Sequence, residues 1–303
     1  NKELQELFLN KEYSQIIEII EGTDKEKKKS SALLNFLGVC KLLRKSKNHN
    51  DLVSANEIFL RAYNQEKTSI DGLKACINFI NSSADIFDEN SDKIEQNLSN
   101  NYILQALILF DEANEYFGFN EKLLLAVIRV YKRQNNLNKV LFYLEKLIQN
   151  NCSNPKVLSS YIYRNSFIKD WSQKDFFLYT QELNKNLDKF ASDQLSFIKK
   201  TKEEKISLAF LSSDINGNHS ITYFLKTVLQ NYDKSKFRVY LISNSNEDDE
   251  TTSFFKSLVD EFFNINHLSD HEAITYIRKK NISILIDLMG LTSTNRISLF
   301  KSR

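Results

Sequence analysis

Up to about Phe190, apolar residues recur at spacings of three, four and seven, and breakers are few. That spacing predicts amphipathic helices. Two windows resemble each other. In "ALLNFLGVC" (Ala32 to Cys40), Leu34, Leu37 and Gly38 fit the first helix of a tetratricopeptide (TPR) unit, and in "SANEIFLRAY" (Ser54 to Tyr63), Ala55, Phe59 and Ala62 fit its second. A short insertion around His49 separates them. Between Glu121 and Ile148, Leu124, Val127, Ile128 and Tyr131 take the first-helix positions, and Val140, Leu144 and Leu147 the second. The next helix starts at "NPKVL", where Asn154 can cap and Pro155 suits the first helical position. Lys122 and Lys156 are 34 positions apart, the period of such repeats. A helical hairpin cannot bury its apolar face alone, so neighbouring hairpins must stack. Gly38, Ala55 and Ala62 are small enough to let helices approach closely. Phe36, Phe59, Tyr131 and Phe142 are expected in the core, and the polar stretch from Asn81 to Asn101 is expected to interrupt the array.

After "TKEEK" (Thr201 to Lys205) the period changes. "ISLAFLS" (Ile206 to Ser212), "FRVYLIS" (Phe237 to Ser243) and "ISILIDLMG" (Ile282 to Gly290) predict strands, the last of them the most buried. "ITYFLKTVLQNY" (Ile221 to Tyr232), "TSFFKSLVDEF" (Thr252 to Phe262) and "DHEAITYIRKK" (Asp270 to Lys280) predict helices, with Ser269 capping the third. Strands alternating with helices at this spacing predict a parallel α/β sheet covered on both faces. The fold class expected is an α-helical TPR-like solenoid followed by an α/β Rossmann-like lobe. The expected domains are helical repeats over 1–160, a helical connector over 161–203 and the α/β lobe over 204–303.

Composition sharpens this picture. Six glycines and one proline in 303 residues argue against a loop-rich β protein. The 41 basic and 39 acidic residues nearly balance, so neither a nucleic-acid nor an anionic-membrane partner is expected. Cys40, Cys76 and Cys152 lie far apart without metal-ligand spacing, which predicts no disulfide framework, no bound metal and a reducing, cytoplasmic setting. No apolar run is long enough to span a bilayer. The chain begins at Asn1 rather than Met, as an excerpt of a longer protein would.

Candidate chemistry gathers in two loops. In an open parallel sheet, ligands bind outside the carboxyl ends of the strands. "SSDINGNHS" follows the first strand and "LMGLTSTNR" the last, and Gly217 and Gly290 fall in them. Glycine there permits a positive φ or close backbone approach. Ser213 and Asp214 could equally be turn formers, and Asn218 or His219 could cap the helix that follows. His49, His267 and His271 are expected to be solvated, as are Asp248 and Asp249. No dinucleotide fingerprint, Walker loop, zincin motif or nucleophile elbow is present.

The segments "ISLAFLSSDINGNHSITYFL", "YDKSKFRVYLIS" and "LSDHEAITYIRKKNISILIDLMGLTSTNR" resemble the start of the catalytic region of the O-linked N-acetylglucosamine transferase family and its SPINDLY-type relatives. "LSSYIYRNSFIKDWSQKDFFLYTQEL" (Leu158 to Leu183) is similar to that family's connector. The resemblance implies TPR repeats followed by the first lobe of a two-lobed GT-B glycosyltransferase. It implies inverting transfer of a hexose from a nucleotide sugar, such as UDP-GlcNAc or GDP-fucose, to Ser or Thr hydroxyls of proteins selected by the TPR groove. His219 and Asp214 match the catalytic positions. Ser213, Gly217, Asn218, Gly290, Thr292, Asn295 and Arg296 match substrate-binding ones. Leu291 stands where many relatives have His, and Asn264 near where animal members have another. Animal members line their groove with asparagines, where this chain has Phe36 and Ala126. The second, donor-gripping lobe would follow Arg303, so this chain alone is expected to be inactive. The alternatives are a non-catalytic TPR adaptor and transfer to a small molecule or glycan.

Overall fold

The structure is a computed structural model that describes residues 2–23, 29–44, 48–89, 93–168, 170–188, 205–217, 219–246 and 248–302. The chain divides into two compact units, Asn1–Cys152 and Ser153–Arg303.

The first unit holds helices α1 (Lys2–Leu9), α2 (Tyr13–Gly22), α3 (Ser31–Leu43), α4 (His49–Gln65), α5 (Ile70–Glu89), α6 (Lys93–Phe117), α7 (Glu121–Arg133) and α8 (Leu137–Gln149). They pack mainly against their neighbours in sequence, α3 on α4, α4 on α5, α5 on α6 and α7 on α8. This is the stacking expected of hairpins that share their apolar faces. Leu34, Leu37, Ala55, Phe59 and Ala62 are buried, as their spacing predicts. The small residue at position 38 has a specific cause: a Cβ there would lie 2.5 Å from a carbon of the Phe59 ring, which is itself fully buried.

Capping starts several helices where the sequence places polar residues. Asn48 and Asp51 form a capping box at α4, and Asn120 caps α7. Asp51 also receives the Arg44 guanidinium, with Nε at 2.8 Å from Oδ2. Burial alone would raise the Asp51 pKa, but hydrogen bonds from Arg44 and the Asn48 amide bring it below the ordinary carboxylate value. Cys40 and Cys76 are buried free thiols whose pKa values burial raises to about 11 and about 12. They are inert packing groups.

Three expectations need correction here. The polar stretch from 81 does not break the array: α5 runs on to Glu89 and α6 begins at Lys93. The polar groups on α5 are satisfied inside it. Ser82 and Ser83 donate back to the Phe79 carbonyl at 3.0 and 2.8 Å, and the buried Asn56 amide of α4 bridges both hydroxyls. Phe142 is 56% exposed, its ring edge-on to Tyr143 and under the Lys139 ammonium. Phe36 is half-buried against Phe8.

The second unit opens with α9 (Pro155–Asn165) and α10 (Gln173–Leu187). Asn154 caps α9 and Pro155 occupies its first turn, as expected. Then β1 (Ile206–Ser212), α11 (Ser220–Asn231), β2 (Phe237–Ser243), α12 (Glu250–Leu258), β3 (Glu261–Asn264), α13 (Asp270–Lys279) and β4 (Ile284–Asp287) alternate. The four strands form one parallel sheet in the order β3-β2-β1-β4. Successive side chains feed opposite faces. Ala209, Leu211, Tyr240 and Ile242 pack with Ala273, Ile274 and Ile277 of α13 on one face. Phe210, Val239 and Leu241 pack with Leu225 and Leu229 of α11 and Phe255 of α12 on the other. Both faces are covered, as continuous apolar strands require.

Two strand expectations change. The helix expected to run to Phe262 stops at Leu258, and Glu261–Asn264 extend as the edge strand β3, paired to Tyr240–Ser243. Helical spacing of Phe254, Leu258 and Phe262 hid that break. The strand expected to be most buried, β4, is an edge strand with Ile284 45% exposed. The central positions belong to β1 and β2.

Gly38→Ala tests the close approach of α3 and α4. Overpacking a fixed ring costs about 1–3 kcal/mol, against about 1 kcal/mol of helix propensity gained by removing glycine. A net loss of up to about 2 kcal/mol in urea denaturation is expected. Higher stability would contradict the packing account.

Candidate functional site

In the order β3-β2-β1-β4, the chain proceeds outward from β1 through β2 to β3, then returns to place β4 on the other side of β1. Strand order therefore reverses between β1 and β4, and a crevice at their carboxyl ends is the expected ligand position. Leu211 pairs with Asp287, so the two strands end together. The two loops singled out in the sequence leave from these ends and meet. Ser213 donates to Asp214 Oδ1 at 3.1 Å, and its oxygen lies 2.7 Å from the Thr294 hydroxyl, which supplies the proton of that bond. The Asp214 amide is fixed by the Ser212 hydroxyl at 3.0 Å. Ser213 is buried and Thr294 is exposed.

The glycines are required by conformation. Gly217 and Gly290 both have φ +57°, and a Cβ at either would meet nothing within 4 Å. Left-handed backbone, rather than close approach, selects glycine there. The Gly217 amide donates to Asp249 Oδ2 at 2.7 Å. The other Asp249 oxygen caps α12, accepting from the Thr252 amide at 2.8 Å and its hydroxyl at 3.0 Å. Hydrogen bonds from the Thr252 and Gly217 amides hold the Asp249 pKa below the ordinary value. Asp249 is thus a tether between the loop after β1 and α12, where sequence reasoning expected a solvated charge. Asp248 pairs with Lys256 at 2.5 Å.

His219 is exposed and sits at the N-cap of α11. Its Nδ1 accepts from the Ile221 amide at 3.4 Å, a long bond. Its carbonyl accepts from the Thr222 hydroxyl at 2.7 Å. Nε2 has no protein partner among the described residues. Asn218 lies outside the described residues.

The loop after β4 is built around a partly buried cation. Arg296 Nε donates to Asp270 Oδ1 at 2.6 Å, Nη1 to Asn244 Oδ1 at 3.0 Å and to the Ile265 carbonyl at 3.3 Å, and Nη2 to the Leu268 carbonyl at 3.1 Å. Asn244 in turn donates to the Thr294 carbonyl at 3.1 Å. One guanidinium therefore joins the segments that follow β2, β3 and β4. Asn295 is buried, its amide donating to the Thr292 carbonyl and lying 3.4 Å from Ser159 Oγ on α9. The Thr292 hydroxyl turns back to the Met289 carbonyl at 2.9 Å.

Asp287 ends β4 and went unremarked in the sequence. It accepts from the Met289 amide at 2.9 Å and the Gly290 amide at 3.1 Å, and burial raises its pKa against those bonds. Asn244 was also missed, although the rule that exposed the other loops, polar groups just past a strand's carboxyl end, applies to it. His267 and His271 stay apart from the corner: both are exposed, as expected, and both lie near Glu272. Among the described residues, no group of three or more His, Cys, Asp or Glu stands together to hold a metal ion. No helix among them is long and apolar enough to cross a membrane.

A helical array followed by a parallel α/β lobe, with its polar corner at the strand-order reversal, defines the architecture of a TPR-type protein joined to a Rossmann-like GT-B lobe. Residues 181–303 match the model of Glycosyl transferase family 41. Among solved structures, it is similar to an O-GlcNAc transferase mutant of Thermobaculum terrenum, with 14% identity and a TM-score of 0.69. The match covers 91% of this chain and 50% of that one. At that identity the likeness is one of fold, and this chain spans about half the neighbour's length. No curated protein matches the sequence.

The Asp249 tether carries a sign. A carboxyl whose pKa is lowered on folding stabilises above its unfolded value, about 3.9, and loses that contribution as pH falls through its folded value. Asp249→Asn keeps an acceptor for the cap but removes the charge. The variant is expected to be less stable than the parent at neutral pH, with the gap closing as pH drops below about 4. A gap that does not vary with pH, measured by urea denaturation, would contradict the tether.

Proposed function

We propose that the corner between β1 and β4 is the acceptor side of an inverting glycosyltransferase. It would transfer a hexose from a nucleotide sugar to a Ser or Thr hydroxyl of a protein. The observation that carries this reading is the exposed His219 on the loop at the carboxyl end of β1, within the segment that matches family 41. An alcohol is a weak nucleophile, and a positioned proton acceptor contributes about 10²–10⁴-fold.

The cap constrains how His219 would act. With Nδ1 accepting from the Ile221 amide, the neutral ring carries its proton on Nε2. Taking a proton from an acceptor hydroxyl then requires Nδ1 to release the cap. At 3.4 Å that bond is weak enough to break cheaply. Asp214, fixed by Ser212 and Ser213, is assigned to orient the acceptor beside it.

Gly290, Thr292, Asn295 and Arg296 are assigned to shape the crevice. Arg296 is the only arginine in the two loops, and four of its five N–H groups are engaged with protein oxygens. We therefore place the grip on the donor diphosphate, which needs several positive or N–H groups, outside these loops. The helical array is assigned to acceptor selection. Phe36 packs on Phe8 and Ala126 is buried, so a grip through asparagines at those positions has no support. Free cysteines fit a reducing compartment.

The test uses the parent protein, labelled UDP- and GDP-hexoses and Ser/Thr peptides. His219→Asn keeps a good capping side chain and is expected to lower turnover by about a hundredfold or more with unchanged thermal stability. Near-normal transfer by that variant would remove His219 from the proton step. Absence of transfer from every UDP- and GDP-hexose would overturn the glycosyltransferase reading.

A further inference from the structure

Beside the polar corner lies a cavity of about 480 Å³. The first turn of α9, the segment between β3 and α13, and the loop after β4 form its walls. Thr294 is the shared wall: it lines the cavity and contacts Ser213 of the corner at 2.7 Å.

Its charges are unevenly engaged. Lys156, Asp270 and Arg296 are the charged lining residues. Four of the five Arg296 N–H groups are engaged with protein oxygens, as described above. Asp270 holds Arg296 with one oxygen, and the other accepts from the Ser298 hydroxyl. Lys156 is exposed, and its ammonium has no partner among the described residues. The backbone of the α9 first turn offers nothing to an anion. Pro155 has no N–H, the Lys156 amide donates to Asn154 Oδ1 at 3.0 Å, and the Val157 amide donates to the Asn154 carbonyl at 3.0 Å. The free charge of this cavity is thus one ammonium, set among side-chain amides and hydroxyls such as Asn266, Ser269 and Ser293.

That chemistry selects a ligand class. A diphosphate needs several converging donors, and this cavity offers one free ammonium. One cation among amides and hydroxyls matches a polypeptide backbone bearing a carboxylate. An extended chain advances about 3.3–3.6 Å per residue, so a segment seated at the corner reaches the next cavity within a few residues. We propose that this cavity is an acceptor subsite that takes acidic residues flanking the modified Ser or Thr, with Lys156 pairing their carboxylate. This rests on reading the corner as the acceptor site.

Equilibrium binding to the 303-residue chain tests it without any sugar transfer. The probes are short fluorescein-labelled peptides with one central serine flanked by glutamates, by glutamines or by lysines, and inorganic pyrophosphate as competitor. The glutamate peptide is expected to bind about two- to fivefold tighter than the glutamine one, as a partly exposed ion pair allows. Lys156→Ala is expected to abolish that preference, and Lys174→Ala, which removes an exposed cation of α10, to leave it intact. Equal affinities, no peptide binding, or a preference that survives Lys156→Ala would overturn the proposal. So would Lys156-dependent binding of pyrophosphate in place of the glutamate peptide. A parent protein that fails to transfer sugar while this preference persists would sink the glycosyltransferase reading alone.

Discussion

The second unit depends on a largely buried cation, Arg296, whose side chain is 10% exposed. Arg296 simultaneously satisfies oxygens from the segments after β2 and β3 and from the start of α13. A guanidinium can do this because its donors form a rigid planar fork. Each interaction is modest in isolation, but a charge taken out of water must be paired and hydrogen-bonded throughout. The Asp270 carboxylate provides the pairing, and two carbonyls and an amide oxygen complete the shell. The geometry of the corner follows from this shell, because Asn244 passes the constraint on to the Thr294 carbonyl, and Thr294 to Ser213.

Around that keystone, backbone conformation and caps set the remaining positions. Gly217 and Gly290 turn their loops through left-handed backbone. Asp249 and Asp287 each hold a loop amide, that of Gly217 or Gly290, through a carboxylate oxygen. His219 is left outside this scaffold, exposed and held by one long bond. A rigid frame with one loosely held titratable side chain suits proton transfer, in which the ring must change partners during the reaction.

Much of this was legible in the chain, for identifiable reasons. The boundaries of β1 and β2 follow from apolar runs ended by polar residues, and Ser269, Asn154 and Pro155 mark helix starts through capping chemistry. Both loops of the corner follow from the rule that sites lie at strand carboxyl ends. The strand order does not follow from the sequence, so the contact of Ser213 with Thr294 could not be anticipated. Asp249 looked like one of a pair of surface charges because its partner, the Gly217 amide, is a backbone group 32 positions away. The sequence placed Arg296 in a strand-end loop but could not reveal that carbonyls converge on it. Glu261–Asn264 read as helix because Phe254, Leu258 and Phe262 keep helical spacing across a real break.

The keystone role of Arg296 is tested most directly by hydrogen–deuterium exchange on Arg296→Lys, which keeps the charge and loses the fork. Amides of 265–270 and 290–298 are predicted to exchange about tenfold faster or more, while those of β1 and α11 keep their protection. Unaltered exchange in both segments would show that the strand ends hold their arrangement without this side chain.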